Sequence, residues 1–558
     1  MSVAPEATAS LAEPVPGEPA RPSAVIWTAA ALVLLTAVVL SLIRVQAQNL
    51  PWHLATGRLA LENGHWLARN TFSYTFPDYP LYQQYPVFQT VVWGVYRVAG
   101  WNGLSVLTAV GWTSVLLLFV HFAGRIREGA HFHLLWMIAL FALQRRMVLR
   151  PDLFTMLAFG AELLALDAFS RGRDRALLAV PLIHLGWVNS HQLFPVSLLV
   201  QGLFLIDLLR RRDRRRATLA ALALVAALAL TFATPLGWRI VLTPMRTAQT
   251  MAVYRGQVAE LRPIWRMPYE LTLALSVGLP TAWALGRARR LASVFDVGLW
   301  LLSLALVISA VRGLMFFAIV SAAVFQRATI RLHAAGGTLL PGIGPGPRRI
   351  LGVVALTLTG LLAYAALKAR VIHPSWALAG TQPGLGRAIG GWAETATEFL
   401  RRYPPPGRML NVGADLGDDV IFWLPGTPVF VDSRLETYPP EFLREALAIE
   451  NDDAALGRVL DRYGVQWVFA LHTRPALRDR ALGLLRAGWQ PVYVDSAELV
   501  LVRSTSATEA YRRAHAIDLD RAAPADLVAA PADLRREQQK DFDALITAWR
   551  ASGLGVRH

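Results

Sequence analysis

Arginine side chains stand where long apolar runs of this sequence meet, and guanidinium groups are well suited to binding phosphate. Arg145, Arg146 and Arg150 lie together between two apolar runs, and Arg312 separates two others. A charged group at a membrane boundary is costly unless it is paired or functional, whereas the planar guanidinium fork matches phosphate oxygens. The pattern therefore predicts a pocket for the phosphate of a lipid. The alternative is snorkelling to lipid headgroups or pairing with carboxylates, namely Asp152, Glu260 and Glu270.

The loop at residues 46–103 is long and rich in aromatic side chains. It holds Asn49, Pro51, Trp52 and His53, and proline suits the first turn of a helix, so a short helix is predicted to begin here. The aromatic side chains could anchor the chain at the membrane interface or form a platform for a sugar ring. His53 could take up a proton, bind a metal or only make structural hydrogen bonds.

A second polar segment, Asn189-Ser190-His191-Gln192, separates two further apolar runs. Its side chains could cap both adjoining helices. Asparagine and histidine together would also suit a ligand that is rich in hydroxyl groups. Both interpretations of His191 remain open from the sequence.

The composition shows what kind of protein must position these residues. Of the 558 residues, 54% are hydrophobic and 17% are charged, and the net charge is +16, whereas about 25% of a typical soluble domain is charged. The apolar content excludes disorder for most of the chain. Because there is no cysteine, disulfides, thiolate nucleophiles and cysteine-bound metal centres are excluded.

Eleven apolar runs long enough to cross a bilayer follow a disordered leader, residues 1–23. They lie at residues 24–45, 104–124, 131–146, 152–169, 175–189, 192–210, 216–235, 268–286, 294–311, 313–328 and 349–368. An amphipathic helix at 86–99 is predicted to lie at the interface. Basic loops fall on alternate connections, at Arg125/Arg127, Arg171–Arg175, Arg210–Arg216, Arg287–Arg290 and Arg327–Arg349. Basic loops mark the cytoplasmic side, so the N-terminus is predicted to be cytoplasmic and residues after 370 extracytoplasmic.

The chain changes character after residue 370, where the membrane part (24–370) is predicted to end. Residues 1–370 carry 34 basic and 15 acidic side chains, and residues 371–558 carry 21 and 24. A Pro/Gly linker (371–405) is predicted to lead into a small α/β domain (406–505) and a helical charged tail (506–558). Because this domain is mildly acidic, no nucleic-acid partner is expected.

Within this domain, short apolar segments predict strands and amphipathic segments predict helices. Strands are expected at Met409–Val412, Val429–Val431, Gln466–Ala470, Gln490–Val494 and Leu499–Arg503, and helices at Glu441–Glu450, Ala454–Tyr463 and Pro475–Ala487. The acidic stretch Gly413–Asp419 is interpreted as a turn, and Asp432 with Arg434 as an ion pair.

Several short motifs, taken in their order, resemble a bacterial family of polytopic membrane proteins that is itself similar to the GT-C glycosyltransferases. They are Trp52-His53-Leu54-Ala55-Thr56-Gly57, Thr71-Phe72-Ser73-Tyr74, Leu149-Arg150-Pro151, Trp187-Val188-Asn189-Ser190-His191, Thr234-Pro235-Leu236-Gly237-Trp238-Arg239, Arg312-Gly313 and Pro428-Val429-Phe430-Val431-Asp432-Ser433-Arg434. The resemblance covers residues 25–505. It implies a GT-C-like fold of about 11 transmembrane helices in the bacterial inner membrane.

The resemblance also implies transfer of a sugar from a polyprenyl-phosphate donor on the outer face. An acidic residue in the first outer loop then acts as the base or binds a divalent metal ion. This sequence departs from that pattern: Asn49 stands where relatives carry Asp, and Gln84-Tyr85-Pro86 where they carry His-Glu-Trp. Another group must then substitute, from among Glu62, Asp78, Asp152 and His53.

The leading functional prediction is therefore a GT-C-type transferase in which Arg150 and Arg312 hold the donor phosphate. The base is predicted among His53, Asp78 and Asp152, and further substrate contacts are predicted from Asn49, Trp52, Arg145, Arg146, His191 and Arg239. The alternative is a catalytically degenerate member that binds or assembles components of an envelope complex through its outer domain. A lipid-linked-glycan polymerase or transporter is a third possibility, although the sequence shows no matching halves.

Overall fold

Helices occupy all the apolar runs that were predicted to cross the membrane. The computed structural model describes residues 24–82, 85–124, 131–254, 258–368, 382–389, 392–524, 526 and 532–553. The helices up to residue 368 are α1 Ala24–Ser41, α2 Leu50–Asn63, α3 Pro86–Ala123, α4 His131–Leu143, α5 Pro151–Ser170, α6 Ala179–Val188, α7 Pro195–Arg210, α8 Arg214–Leu230, α9 Thr243–Tyr254, α10 Pro268–Arg287, α11 Val294–Ser309, α12 Leu314–Ala334 and α13 Pro345–Leu367.

Five apolar helical segments in the described part of the chain are each long enough to cross a bilayer unaided. They are Ala24–Ser41, Pro86–Ala123, Pro151–Ser170, Val311–Ala334 and Gly346–Leu367. Only the segment around α12 is almost wholly surrounded by protein, since 89% of its apolar window is buried. It therefore forms the centre of the helical bundle, while the number of crossings, eleven, stays a prediction.

Two predictions about the first loop agree with the structure. Helix α2 begins at Leu50 with Pro51 in its first turn. Helix α3 contains the predicted amphipathic segment 86–99 and the predicted span, which meet at Gly100, whose backbone is non-helical with φ +57°. Because glycine has no Cβ, it takes this conformation without strain and turns the chain between the two segments.

A four-stranded sheet follows the helical part, in the strand order β1-β2-β4-β3. Strands β1 and β2 are parallel, and the other neighbours are antiparallel. The strands are β1 Arg408–Val412, β2 Val465–Leu471, β3 Gln490–Val494 and β4 Glu498–Val502. The surrounding helices are α14 Glu394–Arg402, α15 Ala414–Trp423, α16 Pro440–Ala448, α17 Asp453–Arg462, α18 Pro475–Arg486, α19 Glu509–His515 and α20 Ala532–Ala551.

Two predictions in this region are wrong. The stretch from Gly413 to Asp419, interpreted as a turn, is the start of helix α15. Its acidic side chains are held by the fold: Ser433 donates through its backbone N–H to Asp418 (3.0 Å) and the Ala393 N–H donates to Asp419 (3.0 Å). A sequence pattern cannot show these partners, because they come from distant segments.

The segment Val429–Val431 was predicted to be a strand, but it does not join the sheet. It runs beside the first loop through a single parallel bridge between Ser73 and Val429. The Val429 N–H donates to the Phe72 carbonyl (2.9 Å), and the Tyr74 hydroxyl donates to the Met409 carbonyl of β1 (2.7 Å). The loop after α2 thus fastens the sheet unit to the helical part.

Some predicted segments lie outside the described residues. They are the leader 1–23, Gln84 of the resemblance motif, the basic loop at Arg125/Arg127, residues 371–381 of the linker, and parts of the tail.

The Asp419 carboxyl makes stability depend on pH. Burial raises its pKa from 3.8 to about 8, although the Ala393 N–H bond and Arg387 oppose the shift. Because the folded form holds the proton more tightly than the unfolded chain, stability should fall as pH rises from about 4 to 8. Asp419→Asn keeps the acceptor oxygen without the charge, so it should stabilise the protein at pH 8 by at least about 2 kcal/mol.

Thermal unfolding of purified protein at several pH values would measure this effect. The gain should shrink towards pH 4, and Asp479→Asn, at an exposed site on α18, should give no such trend. Unfolding of Asp419→Asn at or below the wild-type temperature at pH 8 would refute the assignment.

Candidate functional site

A cavity of about 230 Å³ lies where the start of α2, the start of α5, the turn after α6 and the start of α12 meet the sheet unit. The helix starts converge because α3, α5 and α12 pack side by side with α2 across one end of the bundle. The lining residues are Asn49, Trp52, His53, Tyr85, Arg146, Arg150, Pro151, Asp152, His191, Gln192, Leu193, Glu260, Leu306, Ser309, Ala310, Arg312, Gly313, Met315, Phe316 and Ser433.

Most of the residues that the sequence marked as candidates line this cavity. They are Asn49, Trp52, His53, Arg146, Arg150, Asp152, His191 and Arg312. These positions are spread over more than 260 residues of sequence, and the packing brings them to one place.

Four candidates lie elsewhere, and one of them is Glu62, which is exposed on α2. Asp78 has 81% of its side chain exposed and pairs with Arg69 at 2.7 Å. Arg145 pairs with Glu270 at 2.8 Å. This is the pairing with a carboxylate that the sequence left open as the alternative to phosphate binding. Arg239 is exposed in the helical turn Gly237–Leu242.

Arg146 and Arg150 share one carboxylate partner at the edge of the cavity. Arg146 Nη1 lies 2.9 Å from Glu260 Oε2, and Arg150 Nη1 lies 3.3 Å from Glu260 Oε1. Arg146 also lies 3.7 Å from Asp152 Oδ2. The Nε atom of Arg150 is buried and has no hydrogen-bond partner. Both guanidinium groups lie beside the cavity, and each has further N–H groups that Glu260 does not engage.

Arg312 differs from these two because none of the described residues forms a hydrogen bond or ion pair with its side chain. It sits in the short helical turn Val311–Gly313 between α11 and α12, and within the described residues it makes no hydrogen bond or ion pair. The close packing of this turn leaves no room for a larger residue next to it, since a Cβ on Gly313 would lie 2.3 Å from the Leu306 carbonyl oxygen. The arginine is therefore held at the cavity, and no described carboxylate forms an ion pair with it.

The charges of the described lining residues favour an anion. Arg146, Arg150 and Arg312 face two carboxylates, Asp152 and Glu260. With the histidines neutral, the lining has one more positive charge than negative. A tetrahedral oxyanion such as phosphate could accept hydrogen bonds from several guanidinium groups at once.

His53 is enclosed by aromatic rings at the base of the cavity. It stacks on Trp52 with ring centroids 3.6 Å apart, and the edge of Phe88 meets it at 4.9 Å. Its Nδ1 is 3.4 Å from Gln89 Nε2, and its Nε2 has no partner. Burial is the main cause that lowers the pKa of His53 well below 6.5, and the charge of Arg150 adds to it, so the ring is neutral at physiological pH.

His191 belongs to a chain of hydrogen bonds that ends near Asp152. The Trp187 indole N–H donates to the Thr155 hydroxyl (3.0 Å), and that hydroxyl lies 2.8 Å from His191 Nδ1. Thr155 can then donate to Nδ1, which leaves the ring hydrogen on Nε2, 3.9 Å from Asp152 Oδ1. Burial lowers the pKa of His191 to about 4, so this neutral ring orients towards the carboxylate rather than neutralising it.

The donor set of the cavity does not fit a divalent metal ion. Glu260 is already paired with two arginines, and Asn49, whose Oδ1 is buried without a partner, supplies an amide where a carboxylate is expected. Among the described residues, no three histidine, aspartate or glutamate side chains are grouped so as to hold a metal.

Sequence reasoning did not place four residues in the site. Glu260 was considered only as a pairing partner and Tyr85 as an interface anchor or part of a platform for a sugar ring, and Gln192 and Ser433 appeared only within longer motifs. Ser433 reaches the cavity from the sheet unit, where its backbone N–H and hydroxyl are held by Asp418. Ser433 lies in the motif Pro428–Arg434, but the motif does not show that it reaches the cavity, because that contact spans several hundred residues of sequence.

No protein-family model and no curated protein matches this sequence. Solved structures do match it. The oligosaccharyltransferase of Archaeoglobus fulgidus, tethered to an acceptor peptide, superposes with a TM-score of 0.55 at 12% identity, over 86% of this chain and 74% of that chain. That enzyme is a GT-C glycosyltransferase. This chain has a GT-C-like membrane fold.

Two further solved structures are similar to this chain. The oligosaccharyltransferase AglB from Archaeoglobus fulgidus, in complex with an inhibitory peptide and a dolichol-phosphate, gives a TM-score of 0.53 at 12% identity, over 84% of this chain and 73% of that one. ArnT from Cupriavidus metallidurans bound to undecaprenyl phosphate gives 0.48 at 14% identity, over 87% and 99%. Together with the apolar helices, the fold makes this chain a multi-pass membrane protein.

Proposed function

We propose that this chain is a membrane glycosyltransferase that transfers a sugar from a polyprenyl-phosphate donor to an envelope acceptor on the outer face of the bacterial inner membrane. The observation that carries the proposal is Arg312, which has no ion pair among the described residues and shares a cavity with Arg146 and Arg150. The archaeal protein of similar fold has been captured with dolichol-phosphate. The placement on the outer face rests on the alternation of basic loops in the sequence.

The arginines would act on the leaving group. When the bond between the anomeric carbon and the phosphate oxygen breaks, negative charge grows on the polyprenyl phosphate. Arg150 and Arg312, with Arg146 beside them, would stabilise that charge through groups that are already in position. Fixed donors of this kind cost little reorganisation when the bond breaks.

Asp152 is the best-placed group to take the proton of the acceptor hydroxyl. It lines the cavity, whereas Asp78 does not. Within the described residues Asp152 accepts no hydrogen bond, because Arg146 at 3.7 Å and His191 at 3.9 Å are both too far. Its lone pairs are thus available to a substrate, whereas those of Glu260 are engaged by two arginines. No step of this proposal uses a metal ion.

The second candidate function is binding without turnover, as a component of an envelope complex that docks partners through the outer domain. Asn49 at the cavity favours it, since an amide cannot accept a proton from a hydroxyl at neutral pH. Incubation of the purified protein with labelled polyprenyl-phosphate sugars separates the two: transfer or hydrolysis supports the enzyme, and retention of an unchanged donor supports the binding protein.

Asp152→Asn tests whether Asp152 acts as the base or only shapes the cavity. It should lower transfer about 100-fold or more while donor binding changes little, because the arginines that hold the phosphate remain. Glu62→Gln, an exposed carboxylate on the same loop helix as His53, is the control and should be neutral. Full transfer by Asp152→Asn would remove Asp152 from the role of base.

If the wild-type protein binds the donor without turnover, Asn49→Asp should be tested as a gain-of-function change. A carboxylate at this lining position would supply the acidic group that the family resemblance implies for the first outer loop. Turnover that appears only in this variant would establish the degenerate alternative.

A further inference from the structure

A second cavity, at the opposite end of the bundle, has the size and charge of a lipid site. It has a volume of about 2300 Å³ and lies among α1, α4, α10, α12 and α13. The first cavity meets α5 and α12 at their first turns, whereas this one meets them at their ends, at Arg171 and His333. Its volume exceeds the roughly 300–1,000 Å³ of pockets for drug-sized ligands.

The cations around this cavity are not balanced. Its described lining includes Arg171, Arg173, Arg348 and Arg349 but no carboxylate. Arg171 pairs with Asp167 outside the lining, whereas Arg173 and Arg349 make no side-chain hydrogen bond or ion pair within the described residues. A ligand with a negatively charged headgroup would complement these arginines.

A buried polar atom inside the cavity gives a second and independent indication of a ligand. His133 on α4 lines the cavity with only 3% of its surface exposed, and its Nδ1 has no hydrogen-bond partner. Leaving a buried polar atom unsatisfied is costly. A headgroup hydroxyl or phosphate oxygen that enters between the arginines could reach it.

The segment after α12 forms one wall of the cavity, and hydrogen bonds hold it in place without a ligand. The Trp283 indole N–H donates to the Leu339 carbonyl (3.2 Å), and Arg348 donates to the Leu340 carbonyl (3.2 Å). This fastens the segment to α10 and α13. The remaining wall includes apolar side chains from α1 and α13, such as Trp27 and Leu358, which suit acyl chains.

We propose that this cavity binds an anionic glycerophospholipid of the bilayer, with its phosphate among Arg173, Arg348 and Arg349 and its acyl chains between α1 and α13. The occupant is a lipid because apolar helices form the walls, and its headgroup is anionic because the described lining carries arginines and no carboxylate. Basic pockets between transmembrane helices bind anionic headgroups in this way. The proposal does not depend on the transferase activity proposed above.

Native mass spectrometry of the delipidated full chain, mixed with phosphatidylglycerol or with phosphatidylcholine of the same acyl chains, tests the proposal. The wild type should retain phosphatidylglycerol about tenfold better. Arg173→Gln with Arg349→Gln should remove that preference, whereas Arg289→Gln with Arg290→Gln, exposed arginines outside the cavity, should keep it.

A second variant tests the place of the acyl chains. A side chain at Gly352 would meet nothing within 4 Å, so Gly352→Phe should fold normally, fill part of the cavity and lower retention of both lipids. Equal retention of the two lipids by the wild type, or full retention by both the arginine pair variant and Gly352→Phe, would overturn the proposal. Displacement of phosphatidylglycerol by an equimolar polyprenyl phosphate would overturn the choice of occupant.

Discussion

Replacing Arg312 by glutamine should reduce sugar transfer about 100-fold or more while leaving the protein folded. The loss follows from removing one charged donor to the leaving phosphate, a change that typically costs catalysis 10² to 10³. The fold should survive because Arg312 makes no hydrogen bond or ion pair within the described residues. Removing it therefore leaves no buried partner unsatisfied, and it relieves repulsion from Arg146 and Arg150 across the cavity.

The measurement is transfer from a labelled polyprenyl-phosphate sugar, alongside retention of the donor on the purified protein. If the chain binds without turnover, the loss appears in retention alone. Arg239→Gln is a matched control, since Arg239 is also an arginine without a side-chain partner among the described residues, but it is exposed and lies outside the cavity. Wild-type retention and transfer by Arg312→Gln would refute the assigned role.

Arg150→Ala provides a related comparison. Arg150 also lines the cavity, yet it is paired with Glu260 at 3.3 Å, so its removal frees that carboxylate beside the donor phosphate. The variant should insert and fold while transfer is abolished, because it loses a cation and exposes an anion in the same place.

Replacing Arg434 by leucine should give the largest loss of stability. Arg434 has 1% of its surface exposed. Its guanidinium binds Asp432 at 2.9 and 2.7 Å and donates to Asn70 Oδ1 at 2.6 Å, and it lies over the Phe72 ring. Breaking a buried ion pair on one side leaves an uncompensated charge and costs about 3–5 kcal/mol.

The effect should extend beyond stability, because Arg434 joins two parts of the molecule. Asn70 and Phe72 belong to the first loop, whereas Asp432 follows the segment that pairs with Ser73. Without the arginine, the loop should become susceptible to limited proteolysis, and the neighbouring Ser433 should no longer be held at the cavity.

Two comparisons make this result specific. Arg69→Leu removes an ion pair in the same loop, with Asp78, but both side chains are largely exposed, so it should cost at most about 1 kcal/mol. Arg434→Leu combined with Asp432→Leu should recover part of the lost stability, since neither charge is then left alone. A loss for Arg434→Leu no larger than that for Arg69→Leu would show that the buried pair does not hold the two parts together.

The sequence alone was sufficient for the features that depend on local pattern. Long apolar runs gave the helices, because a segment of that length and hydropathy has no alternative in a bilayer. Pro51 marked the start of α2, since its fixed φ suits a first helical turn. The arginines at Arg150 and Arg312 stood out because their charge interrupts apolar sequence.

Only the tertiary structure decided which of these residues belong together. Arg145 and Arg146 are adjacent in sequence, yet one pairs with Glu270 and the other faces the cavity. Asp78 and Asp152 were both candidates for the base. The packing leaves Asp78 in solvent, whereas Asp152 lines the cavity. The cavity is lined by residues from Asn49 to Ser433. Such contacts depend on how whole helices pack, and a short stretch of sequence does not determine that packing.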